Sequence, residues 1–393
     1  MHLRDWQKSA ALLALSFAVA IGLSEVLLRL FWDPGSYQPV IRADPVYGWT
    51  LAAGTHLHSV DTDRHLRYDI QVNSLGMRDP ERSPAKPAGV KRVLLLGDSM
   101  VFGTGVEVGH RCGDVLADRL GPGVEVLNAA CGGWGTDQEF LYLCREGFAF
   151  QPDVVILALC LSNDVANNLL AHELYGTAPK PRFVLQGSTL VYEPPAPRTA
   201  AQTGTHRLHF LKRSRLLHFV GRHVRLLHRR RNVAPKTEVP YYDEDLKSGQ
   251  SHWAVFEKEY PPAFAGAFAV TEALIGATRD SCASHAVPLV LFAFPQKFEV
   301  DPEARAAELA HYGYEASWFD LGAPYEKLAQ LARRLDILYL YPHDEFAAAN
   351  AHGPLFFARD GHPDAAGHAL AAATLEEPVR RALETTASHT ALR

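Results

Sequence analysis

The sequence predicts a three-layer α/β domain on a doubly wound parallel sheet, preceded by an N-terminal transmembrane helix. Three observations carry this expectation. Short apolar runs, each ending abruptly in small and polar residues, recur along the chain and read as buried parallel strands. Helix-like stretches alternate with them, as right-handed β-α-β crossovers require. The first 32 residues hold a nearly uncharged stretch close to the length of a bilayer core.

Composition sets the outer limits. At 393 residues the chain is long enough to bury a full α/β core with additions. A net charge of −5 and a pI near 6.4 give no reason to expect nucleic acid as a partner. The five cysteines (Cys112, Cys131, Cys144, Cys160 and Cys282) match no metal spacing. They read as small buried hydrophobes, with a disulfide as the alternative in an extracytoplasmic domain. No metal motif, phosphate-binding glycine loop or internal repeat occurs in the sequence.

From the N-terminus, residues 1–8 read as a cytoplasmic tail and 9–32 as a signal anchor. Ser9 to Ser24 is uncharged, and apolar character resumes after Glu25 at Val26-Leu27-Leu28 and Leu30-Phe31-Trp32. Glu25 and Arg29 stand four apart, as a helix pair would. Arg4 and Lys8 precede the run and favour a cytoplasmic N-terminus with the following domain exported, on the periplasmic side. Two other readings compete. Ala18-Val19-Ala20 resembles a signal-peptide cleavage site, and the stretch also suits the buried first helix of a soluble protein. Residues 33–88 read as a small hairpin segment and linker, with Tyr47-Gly48-Trp49 and Leu66 to Val72 as its strands. Arg78, in Asn73-Ser74-Leu75-Gly76-Met77-Arg78, suits either the rim of a site or a structural ion pair.

The main α/β domain is expected to span 89–388. Lys91-Arg92-Val93-Leu94-Leu95-Leu96 runs into Gly97-Asp98-Ser99. Gly123 to Asn128 is a second strand, followed by Ala129-Ala130-Cys131-Gly132-Gly133. Asp153 to Cys160 is a third, followed by Leu161-Ser162-Asn163-Asp164. Far downstream, Asp360-Gly361-His362-Pro363-Asp364 opens an Ala-rich helix. A doubly wound sheet brings all four clusters to one edge, beyond the carboxyl ends of its strands. Asp and Ser are also ordinary helix-capping residues, so Gly-Asp-Ser alone decides nothing.

Between these blocks, about 169–260 form an insertion. Pro179 to Thr205 reads as loop, and Leu208 to Val233 as an amphipathic helix of about six turns. Lys212, Arg213, Arg215, Arg222, Arg225, Arg229, Arg230 and Arg231 make that helix basic. A solvated or salt-bridged face is the plain reading; anionic lipid headgroups or an anionic substrate are the sharper one. Phe264 to Ser284 and Pro324 to Arg334 read as helices, and Val287 to Phe294 and Leu335 to Tyr341 as strands.

In these four blocks and their order, the chain resembles the SGNH hydrolases, also called the GDSL esterase/lipase family. The resemblance covers about residues 90–170 and 354–370. It implies an SGNH, flavodoxin-like fold with Ser99 as nucleophile, His362 as base and Asp360 as its carboxylate. It also implies an oxyanion hole from the Ser99 and Gly133 N–H groups and the Asn163 amide. Two departures stand out. Ser162 replaces the usual glycine before the asparagine, and Asp360 and His362 are two apart rather than three. Some membrane-linked members of the family look like the Asp-Gly-His form, and a similar Asn-Ser-x-Gly-x-Arg stretch often precedes their first block. His368 with Asp364 is a rival pair, one turn into the helix.

The chemistry explains the residue types. A serine hydroxyl needs a base to take its proton as the new bond forms. An imidazole does this and returns the proton to the leaving alcohol, while a carboxylate fixes its tautomer. The expected protein is a serine esterase that works through an acyl-enzyme on Ser99, without cofactor or metal. Its expected partners are an ester-bearing small molecule, lipid or glycan, and the membrane through the N-terminal helix. Two alternatives use the same fold: a polysaccharide O-acetyltransferase with the same catalytic set, and a non-enzymatic membrane tether with a degenerate site.

Overall fold

A computed structural model describes residues 2–32, 40–61, 64–174, 178–197, 214–217, 219–221, 223–224 and 252–391. The chain opens with one long helix, α1 (His2–Phe31). Its Trp6–Phe31 portion has a mean hydropathy of 2.2, and none of its apolar window is buried against protein. That exposure overturns the reading of a buried core helix.

Two separate antiparallel hairpins follow. β1 (Ile41–Asp44) pairs with β2 (Gly48–Leu51), and β3 (His56–Asp61) with β4 (Leu66–Gln71). The expected single hairpin between Tyr47-Gly48-Trp49 and Leu66 to Val72 therefore does not form. The reason is local: Asp44 Oδ1 accepts the N–H groups of Val46 at 2.8 Å and Tyr47 at 2.9 Å. That side-chain turn closes β1 onto β2. The hairpins are also more than a linker, since Tyr47, Trp49, Leu51, Tyr68 and Ile70 are buried in the main core.

The central sheet has the order β11-β10-β7-β5-β6, with every pair parallel. β5 (Lys91–Gly97) lies between β6 (Val124–Ala130) and β7 (Val154–Leu159). β10 (Leu289–Ala293) and β11 (Leu338–Leu340) extend it. Val93 to Leu96 and Val154 to Leu159 are buried on both faces, as helix-covered parallel strands must be. Cys112–Leu120 packs on Ala365–Ala391, while Thr136–Arg145 and Leu161–Leu169 pack on Pro262–Ser284. The family's α/β fold with a parallel sheet is thus present.

The insertion differs from its sequence reading in one place. Within the expected loop, β8 (Arg182–Gln186) and β9 (Thr189–Glu193) form a hairpin turning at Gly187-Ser188. Phe183, Leu185 and Leu190 are held in a small cluster with Phe140, Val270 and Leu274. Of the expected basic helix, residues 215–217, 219–221 and 223–224 are helical; Leu208 to Arg213 and 225–233 lie outside the described residues. All five cysteines are free; Cys112, Cys131, Cys160 and Cys282 are buried as expected, whereas Cys144 is exposed, which corrects the buried reading there.

One glycine bears directly on the C-terminal block. A Cβ on Gly367 would lie 2.3 Å from the carbonyl oxygen of Leu355 and 2.8 Å from Pro363 Cβ. Gly367→Ala is expected to push the 355–364 segment away, at a cost of about 1–3 kcal/mol. Thermal unfolding is expected at a lower midpoint, and esterase activity in the remaining folded protein is expected to fall as His362 shifts.

Candidate active site

Each cluster of the site sits just past a strand end. Gly97 leads from β5 into Asp98, which caps the single-turn helix α2 (Ser99–Phe102): Asp98 Oδ1 accepts the Met100 N–H at 2.8 Å. Ser99 is therefore the first residue of a helix, where N–H groups point outward. After β6, Gly133 adopts φ +79, a left-handed conformation suited to glycine. After β7, Asn163 lies in the first turn of the Leu161–Leu169 helix, its N–H bonded to the Cys160 carbonyl at 2.8 Å. Ser162, in place of the usual glycine, turns inward and is buried, so the helical turn forms without a glycine.

The structure brings Ser99, His362 and Asp360 into one chain of hydrogen bonds. Ser99 Oγ lies 2.8 Å from His362 Nε2, and His362 Nδ1 donates to Asp360 Oδ1 in a short contact. The same Oδ1 accepts the His362 backbone N–H at 2.8 Å. That second bond explains how a two-residue spacing works: a tight turn lets one oxygen hold both nitrogens. The outer oxygen, Oδ2, meets Arg64 Nη1 at 3.2 Å. Burial pushes the Asp360 carboxyl up, but its hydrogen bonds from His362 and the charges of His362 and Arg64 outweigh this and hold it down at about 2.

The rival pair is not assembled. His368 is fully buried, its Nδ1 accepting the Cys112 N–H at 3.1 Å. Burial, with the charges of Arg111, His362 and Arg78, lowers it to about 3. Asp364 instead caps its helix, accepting the N–H groups of Ala366 and Gly367.

Oxyanion donors are available on the other side of Ser99. Neither the Ser99 nor the Gly133 N–H donates to another group among the described residues. Asn163 Nδ2 donates to Asp98 Oδ2 at 3.1 Å, which orients the amide beside Ser99. Behind this donor set lie three buried carboxyls. Burial raises Asp98, although the bonds from Met100 and Asn163 pull it back. Burial and then repulsion among these groups push Glu139 and Asp164 well above the ordinary range.

Two residues were not legible as site residues in the sequence. Asp98 reads as a cap, which it is, but it also orients Asn163. Arg64 carries no local signal, because only tertiary folding sets the β3–β4 turn against Asp360. Arg78 proves to be neither on the rim nor in an ion pair. Its guanidinium is buried and donates to the carbonyls of Phe102, Gly103, Asp69 and Val106 at 2.7–2.9 Å. It lies 5.0 Å from the Tyr68 and Phe102 ring centres, so it ties the backbone after Ser99 to β4.

The β1–β2 hairpin grips the glycine loop in a similar way. Trp49 Nε1 donates to the Gly132 carbonyl at 3.1 Å, and Trp134 Nε1 to the Trp49 carbonyl at 3.0 Å. Between the hairpins and α2 opens a cavity of about 330 Å³, lined by Leu51, Leu57, Tyr68, Ile70, Phe102 and Gly132 among others. No group of three or more His, Cys, Asp or Glu side chains suited to a metal ion occurs among the described residues.

Comparison with known proteins bears on this geometry. Residues 95–317, more than half of the chain, match the sequence model of the GDSL-like Lipase/Acylhydrolase family. The chain belongs to that family. This GDSL-family protein is accordingly an ester-hydrolysing enzyme, which removes the non-enzymatic tether from consideration. Ser99, Gly133 and Asn163 fall within the matched range, whereas Asp360 and His362 lie beyond it. Among solved structures, an acetylxylan esterase from Geobacillus stearothermophilus is 14% identical, with a TM-score of 0.34 over 75% of this chain and 94% of that one. A GDSL-like lipase from Bacteroides thetaiotaomicron is 11% identical, with a TM-score of 0.33 over 74% of this chain and 89% of that one. A two-domain esterase active on acetylated mannans is 13% identical, with a TM-score of 0.36; the match covers 76% of this chain and 51% of that one. No curated protein matches.

The Asp360 arrangement predicts a pH dependence of stability. Its folded-state value of about 2 is below that of an unfolded aspartate, about 3.9. Its stabilisation is therefore complete above the unfolded value and is lost as pH falls through the folded one. The difference in urea midpoint between wild type and Asp360→Asn is expected to close between about pH 5 and pH 2. Arg64→Gln is expected to move that loss to higher pH.

Proposed function

We propose that the GDSL-family chain is a membrane-anchored serine esterase acting through an acyl-enzyme on Ser99. The observation that carries this reading is the Asp360–His362–Ser99 hydrogen-bond chain beside two free backbone donors and an oriented amide. His362 Nε2 takes the Ser99 proton as Oγ attacks the ester carbonyl. Asp360 holds the Nδ1–H tautomer and offsets the imidazolium charge. The Ser99 N–H, Gly133 N–H and Asn163 amide receive the oxyanion. Collapse of the tetrahedral species passes the proton from His362 to the leaving alcohol, and water then repeats the sequence to free the acid.

The substrate class is an acyl or acetyl ester. The α1 helix is long, apolar and uncovered over most of its length, and the apolar residues that continue past Ala18-Val19-Ala20 favour a retained anchor over a cleaved signal. Arg4 and Lys8 on its N-terminal side support a catalytic domain outside the cytoplasm.

Hydrolysis of p-nitrophenyl esters of increasing chain length tests the proposal. Ser99→Ala and His362→Ala are each expected to lower kcat by about 10⁴-fold or more. Asn163→Ala is expected to retain measurable turnover, lowered by about 10²–10³-fold. Full activity in Ser99→Ala would refute the assignment.

A further inference from the structure

The anchor helix is bare except along one stripe. Ser24, Glu25, Leu28 and Trp32 are the partly covered residues near its end, and spacings of three and four put the last three on one face. The start of the basic helix lies against that stripe. Ser214 Oγ donates to Glu25 Oε2 at 2.9 Å, and the N–H groups of Arg215 and Leu216 donate to its two oxygens at 3.0 Å. Arg29 Nε adds a bond of 2.8 Å. Phe219 meets Trp32 edge to face, with ring centres 5.2 Å apart.

Glu25 therefore caps a helix that lies 190 residues further along the chain. Three donors from that helix and one from Arg29 satisfy a carboxylate that would be costly near hydrocarbon if left alone. The capped helix turns an apolar stripe outward. Leu217, Val220 and Val224 are 49%, 49% and 46% exposed, at spacings of three and four. Basic residues flank the stripe in sequence: Lys212, Arg213 and Arg215 before it, and Arg222 and Arg225 within and after it. Aromatic contact at the helix junction, an exposed apolar stripe and flanking arginines match the chemistry of an interfacial helix.

We propose that the helix beginning at Ser214 is a second membrane contact, seated on the anchor through Glu25 and Trp32 and binding anionic phospholipid headgroups. This rests on the anchor reading of α1. Continuity with the anchor is what selects a bilayer as the occupant: the stripe adjoins the end of a helix whose remaining surface is apolar and uncovered. Basic residues near this stripe in sequence supply the positive charge that an anionic surface attracts. Two attachments hold the catalytic domain close to the bilayer instead of leaving it free to swing on one helix.

The test uses the full chain reconstituted in phosphatidylcholine vesicles, with or without phosphatidylglycerol. A Leu217→Cys, Cys144→Ser variant carries an environment-sensitive fluorophore at position 217. With phosphatidylglycerol present, brominated lipids are expected to quench the probe at least about twofold more strongly than in neutral vesicles. Arg222→Glu with Arg225→Glu is expected to abolish that difference. A probe quenched by aqueous iodide and untouched by brominated lipid, in protein that resists carbonate extraction, overturns the proposal while leaving the anchor intact. Equal quenching in both lipids, or a difference that survives the double charge reversal, overturns the assignment to anionic headgroups. Protein released by carbonate overturns the anchor reading and this inference with it.

Discussion

The register of three central strands is the constraint on which the site depends. Gly97 pairs with Ala130 across β5 and β6, and Leu96 with Leu157 across β5 and β7. The strands thus end nearly level, and whatever follows each of them emerges at one edge. Asp98-Ser99, Cys131-Gly132-Gly133 and Cys160 to Asn163 are the three segments that do so. Packing holds this register: a one-residue slip would send Leu94, Ile156 or Leu127, each at most 1% exposed, to the opposite covered face and break the fit of the core on both sides. Catalytic geometry in this fold is a consequence of how apolar strands pack.

The segment before the sheet completes what register begins. Through Trp49 it holds the glycine loop, through Arg78 the backbone after Ser99, and through Arg64 the outer oxygen of Asp360. Each contact restrains a different member of the site. An arginine donating to four carbonyls is a rigid clamp, since its planar fork loses little freedom for each bond formed. The small hairpin segment thus restrains three members of the site and lines the cavity beside α2.

What was legible in the sequence follows from the range of the interactions involved. The strands at 91–97, 124–130 and 154–159 announce themselves because continuous apolar runs bounded by small residues have few other solutions. The clusters after them stand in the order of the SGNH family's blocks, so the resemblance let Ser99, Gly133, Asn163, Asp360 and His362 be named without coordinates. The departures come from context. The β1–β2 turn is closed by one aspartate side chain, which outweighs any longer-range pairing of strand-like segments. The β8–β9 hairpin lies in a stretch whose Pro and Ser content suggests loop, although Gly187-Ser188 between β-branched runs is a turn signal. The partnership of Arg64 with Asp360 and of Asp98 with Asn163 spans 296 and 65 positions, and no local pattern encodes it.

The central claim is that the Asp360–His362–Ser99 chain makes one serine hydroxyl the nucleophile. Intact-mass and peptide mass spectrometry of the full chain treated with an alkyl fluorophosphonate tests it most directly. The account predicts a single covalent adduct located on Ser99, formed far more slowly in His362→Ala and absent in Ser99→Ala. An adduct on a different serine, or undiminished labelling of Ser99→Ala, would contradict it.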